Sequence, residues 1–412
     1  MWIGYISTVK IPLASLGLTE SDIEAAVDVL RTGELTIGKK VAEFETAMAG
    51  YLNVKHFIMV NSGSSANLAI IESLVRPSSG NPVLPTGSRV IVPAIAWPTT
   101  VWPIIQLGLE PVFVDIDQRT LGLDLKEARK VLEKDRSIKA IMIIHPLGLC
   151  LDGEELNKLC IDFGLILLED NCESLGSAFK GEMAGTLGKA GSFSFYFSHH
   201  LTTMEGGGMA TNDFGMAQDL QSIRSHGWSR NRTDHQKWES ENPEIDPRFM
   251  FVSAGFNIRP MEIQAAIGLS QLKRLPENIR RRQEIARYIH NEIKDSNFEL
   301  IGHEYLQSDE EVSRHTWMLL SIKAIDSNFK ELKFYMRLLE NLGIDTRPPL
   351  TGNFTKQPAL KKLLPANSSR SNYSNADKIS ESTFLVGCHH DLTDAQVEFL
   401  GESLRKIQKK IF

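Results

Sequence analysis

Short apolar runs bounded by turn residues recur through the first half of the chain: HFIMV (56–60), RVIVP (89–93), PVFVD (111–115), KAIMII (139–144), LILLED (165–170), SFSFYF (192–197) and GGMAT (207–211). The first five are apolar almost throughout, which is the pattern of strands covered on both faces by helices. Helical periodicities separate most of them. The expectation is therefore an α/β fold with a central, mostly parallel seven-stranded sheet. In such sheets ligands bind beyond the carboxyl ends of the strands, and NSGSS, PAIAWP, HPLG, DNCE and SHH all fall there.

After about residue 260 the pattern changes. MEIQAAIGLSQLKRL and ENIRRRQEIARYIHNEI read as one long helix kinked at Pro276, bridging two domains, and a helix-rich tail follows. A length of 412 residues exceeds what one core usually fills, so the division expected is a large domain over 1–270 and a smaller one over 271–412. RPSSGNPVLPTGS (76–88) reads as a surface loop.

Composition narrows the partners. With 45 basic and 51 acidic residues the formal charge is −6, which argues against a nonspecific nucleic-acid binder. No apolar run approaches the roughly 20 residues needed to cross a bilayer, so no membrane role is expected. Cys150, Cys160, Cys172 and Cys388 form no CxxC pair, and the start MWIGYISTVKIPL lacks the layout of a signal peptide. Both point to the cytoplasm.

Four motifs carry candidate chemistry. VNSGSSANLAIIESL places Gly63, Ser64 and Ser65 between a strand and a helix start, where free amides and hydroxyls suit a phosphate; the same residues suit an ordinary N-cap. Asp170 and Glu173, in LILLEDNCESLG, follow a strand end and could meet a pyridinium nitrogen or cap a helix. Trp97, in PAIAWPTT, offers a flat face for a ring or for plain packing. The fourth motif, GSFSFYFSHHLTTMEGGGMAT, sets His199 and His200 at a polar tip between two strands.

Taken together, the order and spacing of these motifs resemble the DegT/DnrJ/EryC1/StrS sugar aminotransferases, nearly end to end. The resemblance implies the aspartate aminotransferase-like fold type I of enzymes dependent on pyridoxal phosphate (PLP), with a smaller C-terminal α+β domain. In that family a lysine at the position of His199 normally holds the cofactor as a Schiff base. An imidazole has no primary amine, so here PLP and its amino form, pyridoxamine phosphate, would be held noncovalently. What remains is a base that titrates near neutrality. The 3-dehydratase subset, which makes 3,6-dideoxyhexoses, carries the same replacement, and DNCESLG, SHH, RPPLTGNFTKQP and VGCHH are similar to it. One branch of that subset adds an iron-sulfur cluster on closely spaced cysteines, and the scattered cysteines of this chain do not match it.

The resemblance implies that Asp170 pairs with the pyridine nitrogen, Trp97 stacks on the ring, and Ser64, Ser65 and Ser194 hold the phosphate. Glu173 stands where many aminotransferases have glutamine. Asn257 matches an asparagine that reaches the neighbouring subunit's phosphate, which implies a homodimer with shared active sites. His226, Arg259 and Arg347 are candidates for the sugar, its pyrophosphate or a carboxylate co-substrate, or for structural ion pairs. His389 and His390 lack further ligands nearby and are not read as a metal site. The expected activity is removal of the C3 hydroxyl from a nucleotide-linked 4-keto-6-deoxyhexose, GDP being the nucleotide by resemblance, with glutamate as amino donor. Two other readings are a nucleotide-sugar 4-aminotransferase and an inactive PLP-binding regulator.

Overall fold

The computed structural model describes residues 9–308, 313–364 and 372–408. Most of the amino-terminal stretch that argued against a signal peptide, residues 1–8, lies outside them. All seven expected strands form: β1 (His56–Val60), β2 (Arg89–Pro93), β3 (Glu110–Val114), β4 (Ile138–Ile144), β5 (Ile166–Asp170), β6 (Ala190–Ser194) and β7 (Gly207–Thr211). Their order across the sheet is β1-β7-β6-β5-β4-β2-β3. Only β7 runs against its neighbours, β1 and β6.

Why the inner strands are apolar throughout is visible in the packing. Val90 and Val92 enter one core with Ala140, Met142 and Ile144, while Ile91, Ile141 and Ile143 enter the core on the opposite face. Successive side chains point to opposite faces, so a strand between two helical layers needs both sets apolar.

Two expectations are corrected. The sixth strand covers 190–194 rather than 192–197. Its ladder to β7 ends at the pair Ser194–Gly207, and the chain then turns into the histidine tip. The long kinked helix is two helices, Glu262–Leu272 and Leu275–Ile293. Pro276 sits in the first turn of the second, where a missing N–H costs nothing, instead of inside a continuous helix.

A second sheet, β8 (Phe298–Leu300), β9 (Leu319–Ala324) and β10 (Thr383–Gly387), is antiparallel. Its core includes Ile289, Leu339, Leu400 and, from the other end of the chain, Ile11. Ile11 bridges Ile344. On this C-terminal core we propose the division between 1–270 and 271–412, with the amino-terminal segment crossing over.

Candidate active site

Where β5 and β6 end, beside the start of the helix Gly63–Val75, lies a cavity of about 300 Å³. Ser64, Trp97, Asp170, Glu173, Ser194, His199 and Arg347 line it. They come from both halves of the chain. Arg347 is delivered by a bridge between its backbone and Leu385 on β10.

One wall is the helix start. Ser62 caps it, accepting from the Ser65 N–H at 3.1 Å, which leaves the N–H groups of Gly63 and Ser64 without intrahelical partners. Ser64 Oγ donates to Thr99 Oγ1 at 3.2 Å. A Cβ on Gly63 would stand 2.7 Å from both Cys172 Sγ and Ser194 Cβ, so glycine lets the helix start approach β6. Gly207 has the same reason, since a Cβ there would overlap the backbone of Ser62 and Gly63. Ser65 lies deeper, its hydroxyl accepting from Ser62 Oγ at 3.0 Å, and does not line the cavity.

The floor is Asp170, buried at the end of β5. Its Oδ2 accepts from Asn67 Nδ2 at 2.8 Å and Thr100 Oγ1 at 2.7 Å. Its Oδ1 accepts from the Cys172 N–H at 3.1 Å and, more weakly, from Ser192 Oγ at 3.5 Å. All of these donors are neutral. A buried carboxylate is usually matched by a cation, and here the open side is the cavity. A carboxylate at one end and a free helix start at the other fit a phosphorylated pyridine: protonated nitrogen on Asp170, phosphate at Gly63 and Ser64. Trp97, 46% exposed, lines the same cavity. Asn67 and Thr100 were not singled out in the sequence. Their only local signal is that each sits on the first helical turns after a strand end.

Glu173 accepts from the Leu147 N–H at 3.1 Å and lies 3.9 Å from Arg347 Nη2. Burial pushes its carboxyl up to about 7, against the opposing pull of Arg347. His199 lies half-buried, its Nδ1 fully buried without a partner. Burial first, then the Arg347 and Arg282 guanidiniums, hold it down at about 4. At neutral pH the imidazole is therefore uncharged, with one ring nitrogen able to accept. Among the described residues, no lysine lines the cavity. Lys189, at the far end of β6, is paired with Asp213 at 2.6 Å.

The remaining candidates lie elsewhere on this chain. His226 is exposed, edge-on to Trp228. Arg259 lines a separate groove with Arg224 and Trp228. Asn257 is exposed, its backbone bridged to Ser225. His200 is a buried packing residue whose Nε2 meets the Thr316 carbonyl at 3.1 Å.

Several histidines share the depression of His199. Burial holds His315 at about 3, His389 at about 4 and His200 well below 6.5. An unfolded chain protonates imidazoles near pH 6.5, so between pH 6.5 and 4 it takes up protons that the folded chain refuses, and stability falls. Glu173 acts with the opposite sign, its folded carboxyl binding a proton near pH 7 and its unfolded one near 4.5. Four imidazoles outweigh one carboxyl. Each unit of gap is worth about 1.4 kcal/mol, so urea midpoints are expected to drop sharply from pH 7 to pH 5. Equal midpoints would contradict these environments.

The chain was compared with known proteins. The DegT/DnrJ/EryC1/StrS aminotransferase family matches residues 17–405. GDP-4-keto-6-deoxy-D-mannose 3-dehydratase from Escherichia coli O55:H7 is 35% identical over 96% of this chain and 100% of its own length. The solved structure of GDP-4-keto-6-deoxymannose-3-dehydratase with a trapped PLP-glutamate geminal diamine superposes with a TM-score of 0.84 at 34% identity, covering 96% of this chain and 100% of that one. A Helicobacter pylori aminotransferase involved in the biosynthesis of pseudoaminic acid superposes at 0.85 with 25% identity, over 98% and 100%. With the sheet order, the cavity and matches that span almost the whole length, the conclusion is plain: this chain belongs to the DegT/DnrJ/EryC1/StrS aminotransferase family and has the PLP-dependent aminotransferase fold.

Proposed function

We propose that this protein is a pyridoxamine phosphate-dependent dehydratase that removes the C3 hydroxyl of a nucleotide-linked 4-keto-6-deoxyhexose, with GDP as the nucleotide, in deoxysugar biosynthesis of the lipopolysaccharide type. The observation that carries the reading is His199, an imidazole on the wall of a cavity that no lysine lines among the described residues. The similarity to the dehydratase of Escherichia coli supports the substrate class.

Bound pyridoxamine phosphate would supply the amine that meets the C4 ketone and a ring that takes up electrons. Asp170 would hold the ring nitrogen protonated. Trp97 would stack on the ring, Glu173 would close its wall, and Ser64, Ser194 and the helix start that Ser65 helps to cap would hold the phosphate. His199 would take the proton from the carbon that bears the cofactor amine. The imidazolium so formed is a strong acid, because the burial that depresses its pKa disfavours the charged form. It would pass the proton to the departing C3 oxygen, which leaves as water. Arg347 would meet the sugar or the carboxylate of glutamate, the proposed amino donor. Asn257, with His226 and Arg259, would serve the neighbouring subunit's site in a cytoplasmic homodimer.

The decisive experiment incubates the protein with pyridoxamine phosphate, glutamate and a panel of GDP-, CDP- and dTDP-linked 4-keto-6-deoxyhexoses, read by mass spectrometry. A product that has lost the C3 oxygen is expected with the GDP sugar. An amino sugar as sole product would establish the 4-aminotransferase reading instead, and no product from any sugar would favour the regulator.

A further inference from the structure

Adjoining the main cavity at Ser198, His199 and Met318 is a second chamber of about 10 Å³, room for a single water molecule. It is lined by His199, His200, Arg282, His389, His390 and Thr202, among others. The polar atoms here are unusually short of partners. His199 Nδ1, His200 Nδ1, Arg282 Nε, His390 Nδ1 and both ring nitrogens of His389 are buried without a well-formed hydrogen bond, although the Tyr196 backbone lies near the His199 ring and the Pro12 backbone near that of His389. Buried polar groups in folded proteins are nearly always satisfied by protein or by ordered water, so so many in one place need a shared partner.

Arg282 is held in place regardless. Its Nη1 donates to the carbonyls of Trp317 at 3.2 Å, Met318 at 3.0 Å and Cys388 at 2.8 Å, tying the helix Leu275–Ile293 to β9 and β10. It is a donor only and cannot accept from His199. For the Nε2 of His199 to carry the lone pair that acts as base, the ring proton must sit on Nδ1, and that N–H needs an acceptor.

We propose that one ordered water fills the inner chamber and fixes the reactive tautomer of His199, with Arg282, His389 and His390 as positioning residues. The water would accept from His199 Nδ1–H and from Arg282 Nε–H and donate to the imidazole nitrogens of His389 and His390. That satisfies two donors and two acceptors, the full capacity of a water. Neutral imidazoles suit the accepting role, and burial depresses both His389 and His390. Asp391 faces His390 Nε2 at 3.5 Å, leaving Nδ1 for the chamber.

This inference rests on His199 being the base, and its test separates the two. In a crystal structure fine enough to show waters, one is expected within hydrogen-bond distance of His199 Nδ1 and Arg282. In ¹⁵N-histidine-labelled protein, two-bond ¹⁵N–¹H spectra should show His199, identified by its loss in His199→Asn, as the Nδ1–H tautomer. His389→Phe, which fills the chamber, should mix the tautomers and lower kcat about tenfold or more with little change in KM; His389→Gln, which keeps an acceptor, should restore most of both. A chamber closed by direct side-chain contacts, an ion in place of the water, or an unchanged tautomer in His389→Phe would overturn the proposal. Undiminished dehydration by His199→Asn would instead remove the base reading, while the crystal and spectra would still decide the water.

Discussion

His199→Lys is expected to lower dehydration at least about a hundredfold while the protein folds and still binds the cofactor. The position is half-buried on the cavity wall and its backbone is held by the turn in which its N–H meets the Tyr196 carbonyl at 3.0 Å. The substitution changes what stands over the cofactor and little else. A primary amine there would compete for the cofactor aldehyde and draw it into a covalent link, so borohydride reduction should leave the cofactor on the protein through dialysis. The wild-type chain, in which no lysine lines the cavity among the described residues, should release it. Unchanged dehydration in the variant would take His199 out of its role, and a reduced cofactor fixed to a lysine of the wild type would overturn noncovalent binding.

Asp170→Asn should weaken cofactor binding by a hundredfold or more. The carboxylate is buried and is satisfied by neutral donors from Asn67, Thr100 and the Cys172 N–H, so its charge is available for a protonated ring nitrogen. Removing one side of a buried charge pair costs about 3–5 kcal/mol. The amide also brings a donor toward Asn67 and Thr100, which already donate, so a modest loss of stability without cofactor is expected. Titrating the cofactor absorbance against each protein measures the first effect and urea unfolding the second. Cofactor affinity within threefold of wild type would remove Asp170 from its assigned place.

Much of this architecture is legible one-dimensionally. Strands covered on both faces must be apolar at successive positions, and Val90, Ile91 and Val92 announce that in three letters. The end of β5 is marked by two acidic residues that close the apolar run, Glu169 and Asp170, both buried. Placement of β6 was less legible. Ala190 and Gly191 lack apolar bulk, yet they pair in the sheet because the neighbouring Gly185 backbone packs against Gly191. Pro276 was read as a kink because sequence periodicity continues across it, whereas proline is tolerated best in a first turn and the chain begins a new helix there.

The active site divides in the same way. From sequence alone came the residue types that define the chemistry: an imidazole instead of an amine at 199, a carboxylate at a strand end, serines and a glycine at a helix start. Those depend on local chain geometry, which a strand, a turn and a helix impose within a few residues. Only the tertiary structure decided that Arg347 and Met318 reach the same cavity, that Asn67 and Thr100 grip Asp170, and that Arg282, His389 and His390 line one chamber with His199. Those contacts join positions tens to hundreds of residues apart, and no local pattern encodes them. They exist because Met318, Leu319, Leu350 and Leu385 bury their side chains in the core of the first sheet, which draws the second sheet onto its rim. The identity of the base was written in the chain, and the surroundings that set its protonation were made by packing.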